Sequence, residues 1–561
     1  MRVEMRAGFW LLLSVAAAAC ADRDGAARPA ADSPQYGGTV VIAANGDLDH
    51  LNSLVSAERY AQEVNRYVMF LPLVRYGPEL EFLPALAESW NLTADTGVVF
   101  HLRRDVRWHD GVQTTARDVV FTFERAKDPE TAFPNAEYFA HWRLATAPDS
   151  FTIRFAFTPH ADPLAGLPFL PIMPAHLLDS IPAGQLRQAA FNRRPVGNGP
   201  FRFVEHRAND RWIFEANEEF PDALGGRPYV DRLIWRPIPE ATGQVAELLA
   251  GVADLILSPP SDQYDALQEQ PGVRGVERPS RQYAAVIWNG RNTPLDDARV
   301  RRALTLALNR QQIVDVLRAG HGEVAVGPIG PFHWSFDDAV APLPYDPDSA
   351  RAMLRAAGIE DGDGDGTREL QNGEPFEIEL KLAAGSAINR DMAELIRADL
   401  AAVGVRIAAR PVDGATMFQD LTSPSRPFMA VLAAWESDFR INLRDIYHSA
   451  ERDGMFGGAG YANQRVDSLI ERVALTADRE DARPLYVELQ RILRDEQPWA
   501  FLYYYADLVL LRDRLQGVEM DVRGALVNVG EWWVTDAAAP ERPQPRDSAD
   551  RSPTPDSAPP R

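Results

Sequence analysis

One cysteine, Cys20, and two lysines, Lys127 and Lys381, are all that this 561-residue chain holds of either residue. A single thiol excludes an intramolecular disulfide and any cysteine-rich zinc or iron–sulfur site. Basic residues are outnumbered by acidic ones, 58 to 80, for a formal net charge of −22. That field repels phosphate backbones, and no basic stripe with interleaved aromatics offsets it, so nucleic acid is not expected as a partner. No apolar run reaches the roughly 20 residues needed to cross a bilayer. G-x-S-x-G, H-E-x-x-H and P-loop strings are also missing, and with them the usual signs of a serine hydrolase, a zinc protease or a phosphate cradle.

What is present is globular: 46% of residues are hydrophobic and 25% charged. The length exceeds one ordinary core and suits two lobes. Arg2 and Arg6 precede an apolar run over residues 7–19, and Cys20 follows at once. A basic start, a short apolar core and small residues at the end predict a secretory signal over residues 1–19. Ala17-Ala18-Ala19-Cys20 reads in two ways. It is either a bacterial lipobox, with Cys20 lipidated as the mature N-terminus, or an ordinary A-x-A cleavage site beside an incidental cysteine. Residues 20–35 have the composition of a flexible tether, and 537–561 that of a disordered Pro-rich tail.

Between them, strand-like and helix-like stretches alternate. Strands are expected at residues 37–43, 98–102 and 151–157, the last with Phe151, Ile153, Phe155 and Phe157 on one face. Asp346-Pro347 opens a helix that Gly358 closes. Met392, Leu395, Ile396, Leu400 and Val403 mark another, ended by Gly404 before a short strand. Apolar faces at Val300 to Leu308, Val466 to Val473 and Leu485 to Leu493 predict more helices, and Pro498 precedes a strand from Trp499 to Leu511. The class is α/β.

Six strings then point to a family. Leu83-Pro84-Ala85-Leu86-Ala87-Glu88-Ser89-Trp90 opens the series. Phe100-His101-Leu102-Arg103 runs on to Trp108-His109-Asp110-Gly111, and Ala116-Arg117-Asp118-Val119-Val120-Phe121-Thr122-Phe123 follows. Pro195-Val196-Gly197-Asn198-Gly199-Pro200-Phe201, Gly226-Arg227-Pro228-Tyr229-Val230-Asp231 and Arg299-Val300-Arg301-Arg302-Ala303-Leu304 complete it. In this order they resemble the extracellular solute-binding protein family 5, the dipeptide, oligopeptide and nickel receptors of ABC importers; Asn198 stands where the family pattern has Thr. The resemblance implies a two-lobed periplasmic-binding-protein architecture with ligand enclosed between lobes. Lobe 1 would take residues 36–290 and 508–536, and lobe 2 residues 291–507. It implies a peptide-like ligand, an ABC permease as partner, membrane attachment through the lipid anchor, a monomer and no enzymatic activity. Nickel chelates or oligosaccharides are the alternative ligands, and an exported hydrolase is the alternative of another class.

Three segments carry candidate chemistry. His109-Asp110 has the residue types of an acid–base pair, but Gly111 suggests a turn and no nucleophile motif accompanies it. Asp361, Asp363 and Asp365, with Gly366 at the sixth position, match the opening of a calcium loop. The twelfth position is Asn372 where a bidentate Glu is wanted, and an Asp/Gly run is also an ordinary solvated loop. No other cofactor is expected. Trp435-Glu436-Ser437-Asp438 resembles the W-x-x-D segment with which peptide receptors of this family hold the ligand's α-ammonium group. By that resemblance Asp438 would bind the ammonium and Trp435 would wall the site; a capping or surface carboxylate and a core tryptophan are the bland readings of the same residues.

Overall fold

The computed structural model describes residues 33–535 except 94–95, 159–161, 440, 455, 458–459 and 477. Cys20, the signal, most of the tether and the Pro-rich tail lie outside the described residues.

Two strands organise the molecule. Val273–Trp288 and Trp499–Arg512 pair antiparallel along most of their length, with a register slip between Pro279 and Tyr283 and a further one between Ala284 and Ala285. Pro279 cannot donate to the ladder, and an irregularity there bends the ribbon. On one side of the first slip the ribbon joins Leu255–Ile256, Thr39–Ala44, Arg232–Pro237, Arg211–Ala216 and Phe201–Arg207. On the other it joins Ala430–Glu436, Glu377–Ala383 and Arg406–Val412. One sheet thus runs through both lobes, and this ribbon is the crossing between them.

The cores follow from the side-chain period of two. Ala284, Val286, Trp288, Ala500 and Leu502 face a core built with the helices Ala298–Leu306, Arg310–Leu317, Pro347–Ala356 and Ala387–Ala401. The intervening Tyr283, Ala285, Ile287, Trp499 and Phe501 face another, built with Gln464–Leu475 and Arg479–Glu496. Both faces of this half-sheet are buried, which is why Trp499–Arg512 reads as a continuous apolar run. The first lobe's core draws on residues 40–257 and 509–534. It includes a four-stranded antiparallel sheet in the order Ala87–Leu92, Gly97–Leu102, Thr152–Phe157, Trp142–Asp149.

Local signals locate the ends. Asp346 accepts the Ser349 amide at 3.0 Å as the N-cap of its helix, and Gly358 takes φ +78° behind the C-terminus. One element has no counterpart in the sequence reading: the helix Arg59–Glu63 widens into a π-helical turn, Val64–Met69, closed by Phe70 N–H donating to Asn65 O at 2.9 Å. Such turns recur at functional sites.

Candidate ligand-binding site

The lobes meet around Phe439. It follows the second-lobe strand Ala430–Glu436, yet its buried ring belongs to the first lobe's core. It stacks on Phe169 at 5.6 Å and 25°, and Tyr76 meets it edge-on at 5.2 Å. Aromatic pairs of this kind add about 0.5–1.5 kcal/mol each beyond their buried area. The Arg281 guanidinium lies 4.9 Å from the same ring and pairs with Glu436. His333 fixes the backbone behind the ring: its Nε2–H donates to Phe439 O at 2.9 Å, while its Nδ1 accepts the Ser335 amide at 3.2 Å. Burial pushes the His333 pKa down to about 3, so the ring is neutral with its tautomer set by geometry.

Charged side chains tie the lobes together beside this contact. Arg479, at the start of the second-lobe helix Arg479–Glu496, donates to Leu80 O at 2.8 Å and lies 3.6 Å from Asp162. Its guanidinium also covers the Trp334 ring at 5.4 Å. At the crossing ribbon, Asp507 pairs with Arg278 at 2.9 Å and with Arg59. Burial raises the Asp507 pKa, but the two guanidiniums outweigh it and hold the carboxyl below its usual value.

A cavity of about 310 Å³ opens between the lobes. The first lobe contributes Glu137, His141 and Asp162; the second contributes Trp334, Phe439, Ile441, Leu443, Val473 and Arg479. The volume lies at the small end of ligand pockets, and an apolar wall with a few charged groups is their usual lining. His333 also lines it, but both its ring nitrogens are already engaged, which leaves no lone pair for a metal.

Asp438 is half-buried, one residue before this lining, with Oδ1 accepting the Phe439 amide at 2.7 Å. Burial first, and then the carboxylates of Asp162 and Asp438, raise the Tyr76 phenol well above its ordinary value. Trp435 packs edge-on against Trp499 at 5.5 Å and Phe456 at 5.6 Å, on the second lobe's core.

His109 and Asp110 turn to different partners. The His109 Nδ1 accepts the Gly197 amide at 3.2 Å and its Nε2–H donates to Gly199 O at 3.1 Å; burial lowers its pKa to about 4. Asp110 meets His176 at 2.8 Å. Asn198 and Gly199 donate in turn to Met69 O, the end of the π-helical turn, at 3.0 and 2.9 Å. A Cβ on Gly197 would overlap that carbonyl, so the turn needs glycine there. Asn198, at the departure from the family pattern, accepts the Leu71 amide at 2.9 Å.

Asp361, Asp363 and Asp365 converge as the spacing predicts, and Glu369 joins them: the four carboxylates offer oxygens within 4.8 Å of one another. Asp361 also accepts the Gly364 and Gly366 amides, and Arg406 lies 3.2 Å from Asp365. Asn372 instead bonds Glu374 at 2.9 Å.

His333, Phe439, Arg479 and Asp162 were not singled out by the sequence reading. His333, Arg479 and Asp162 come from three distant segments that no local string marks, whereas Phe439 directly follows Asp438 at the end of the Trp435 string.

The family model described as bacterial extracellular solute-binding proteins, family 5 Middle, matches residues 81–447. The oligopeptide-binding protein AppA of Bacillus subtilis is 27% identical over 534 residues, covering 93% of this chain and 97% of the relative. Heme-binding protein A of Haemophilus influenzae is 29% identical over 458 residues, 77% of this chain and 81% of that one. The solved structure of Bacillus subtilis AppA with a nonapeptide superposes with a TM-score of 0.74 at 26% identity, covering 90% of this chain and 100% of that chain.

Proposed function

The protein belongs to the bacterial extracellular solute-binding proteins of family 5, and on that premise we propose that it captures a peptide or peptide-like solute between its lobes and passes it intact to an ABC importer. The observation that carries the reading is the cavity of about 310 Å³ lined from both lobes: a solute there touches both at once only when they are together. Ligand then favours the closed form in proportion to the contacts that form alone provides. The likeness to an oligopeptide-binding protein over 93% of the chain supports the solute class. Mass spectrometry of solutes that co-purify with natively extracted protein tests it.

In this reading the receptor works as a monomer outside the cytoplasm, held to a membrane by a lipid on Cys20. The support for the anchor is the sequence around Cys20 alone. Asp438 takes the solute's ammonium group. A calcium ion at Asp361, Asp363, Asp365 and Glu369 would have a structural role, since none of the four lines the cavity.

A further inference from the structure

The crossing ribbon has two faces, and the cavity uses only one. Phe439 packs into the core that takes Val509 and Leu511 from the ribbon, and the cavity walls Ile470, Val473 and Tyr486 belong to the core of Tyr283 and Trp499. On the opposite face, Leu508 and Leu510 pack under Tyr264 and Leu267 of the helix Ser261–Gln268. Glu277 stands opposite Leu508 in register, so it shares that far face.

His321 of the second lobe reaches into the far face. It follows the helix Arg310–Leu317 and precedes the strand Gly322–Val324, which pairs with Tyr503 to Tyr505. A Cβ on Gly322 would lie 2.7 Å from Tyr504 O, so glycine lets the segment press against the ribbon there. The imidazole is buried edge-on to Tyr264 at 5.1 Å, between two carboxylates of the first-lobe side. Its Nδ1 lies 2.9 Å from Glu277 Oε2, and its Nε2 lies 3.6 Å from Asp265 Oδ1.

A neutral imidazole carries one N–H, which the Glu277 carboxylate takes at Nδ1. Nε2 then turns a lone pair towards Asp265 and has no hydrogen-bond partner. A proton on Nε2 converts that unbonded approach into a charge-assisted pair. Histidine is the side chain that takes up such a proton between about pH 8 and 5. Tyr264 does not compete: burial first, then the charges of Glu277 and Asp265, raise its phenol to about 12. The other charged groups beside His321 on its own segment are Arg318, laid over the Tyr505 ring at 5.0 Å, and Glu323 on the strand that follows.

Position relative to the hinge sets the sign. Folding the lobes towards the cavity parts groups on the ribbon's far face, and opening them brings those groups together. We propose that His321 is a proton-operated catch behind the hinge: on acidification it bonds Asp265, favours the open form and so releases the solute. Solute favours the closed form and the proton the open one, so each weakens the other's binding by the same factor. The inference does not depend on which solute is carried.

The test reads lobe separation in solute-free protein by single-molecule energy transfer. Dyes are carried on Leu144→Cys and Phe418→Cys, exposed positions of the two lobes, with Cys20→Ser to leave only those thiols. The ratio of open to closed molecules should rise roughly twofold to fivefold from pH 8 to pH 5.5. The factor is modest because the Asp265 side chain is 68% exposed and water screens the pair. His321→Gln and Asp265→Asn should each leave the ratio flat over that range. Asp265→Asn alters only an exposed charge, so it keeps the comparison if His321→Gln loses its fold. An unchanged wild-type ratio, a fall in place of a rise, or the same rise in Asp265→Asn overturns the proposal.

Discussion

His333 donates from Nε2 to the carbonyl of Phe439 across 2.9 Å, and the ring so anchored is the one that stacks into the other lobe. The bond requires no charge on the imidazole, and burial holds its pKa near 3 against an ordinary value of about 6.5. The unfolded chain therefore binds a proton over that interval that the native chain does not. The stabilisation is complete above about pH 6.5 and is lost as pH falls towards 3. His109, held at about 4, acts in the same sense. Urea midpoints should fall between pH 7 and pH 5, and His333→Gln should make that slope shallower by up to about 1.4 kcal/mol per pH unit. Equal slopes in the two proteins would show that His333 does not titrate on unfolding.

Asp438→Asn keeps an acceptor for the Phe439 amide and removes the charge. A desolvated ammonium left without its partner costs about 3–5 kcal/mol, so peptide affinity should drop a hundredfold or more. The melting temperature without ligand should change little. Equal affinities by calorimetry, or equal affinities of wild type for free and N-acetylated peptides, would remove Asp438 from the site.

What was legible in the sequence was whatever depends on neighbours along the chain. Asp346, Pro347 and Gly358 bracket a helix by local chemistry alone, and the strand Thr152–Phe157 shows its buried face as Ile153, Phe155 and Phe157. The crossing strand Val273–Trp288 did not show. Its first half carries the half-buried Arg274, the exposed Glu277 and Pro279 and a buried Arg278, so the buried positions are not the apolar ones and neither an alternation of apolar and polar residues nor an apolar run survives. The π-helical turn Val64–Met69 has no compositional mark, because one extra residue in a turn changes hydrogen bonding and not residue type. His109 and Gly197–Gly199 stood in two separate strings; that one ring clasps the other string is a contact between residues 88 apart. The cavity is the extreme case, with walls drawn from residues 137 to 489.

The four carboxylates of the Asp361 loop repel one another within 4.8 Å, and a divalent cation would relieve that repulsion. With the affinity of an extracellular calcium module, millimolar calcium should stabilise the native state by about 1–3 kcal/mol and a chelator should reverse it. The melting temperature should rise accordingly, and Asp363→Asn should abolish the response. No shift in wild type at 10 mM calcium, taken as about tenfold over the weakest such affinity, identifies the segment as a solvated turn.

Lipidation of Cys20 predicts that the protein enters the detergent phase and that Cys20→Ser releases it or stalls its processing. A soluble wild type with a free N-terminus at Cys20 would contradict the anchor.

Capture of an intact solute is tested most directly by extracting the protein natively, denaturing it and identifying what it releases by mass spectrometry. The account predicts peptides carrying a free ammonium, about one per protein molecule, uncleaved when the same peptides are returned to the protein and recovered. Release of sugars or metal chelates in place of peptides, or recovery of the returned peptides as fragments, would contradict it.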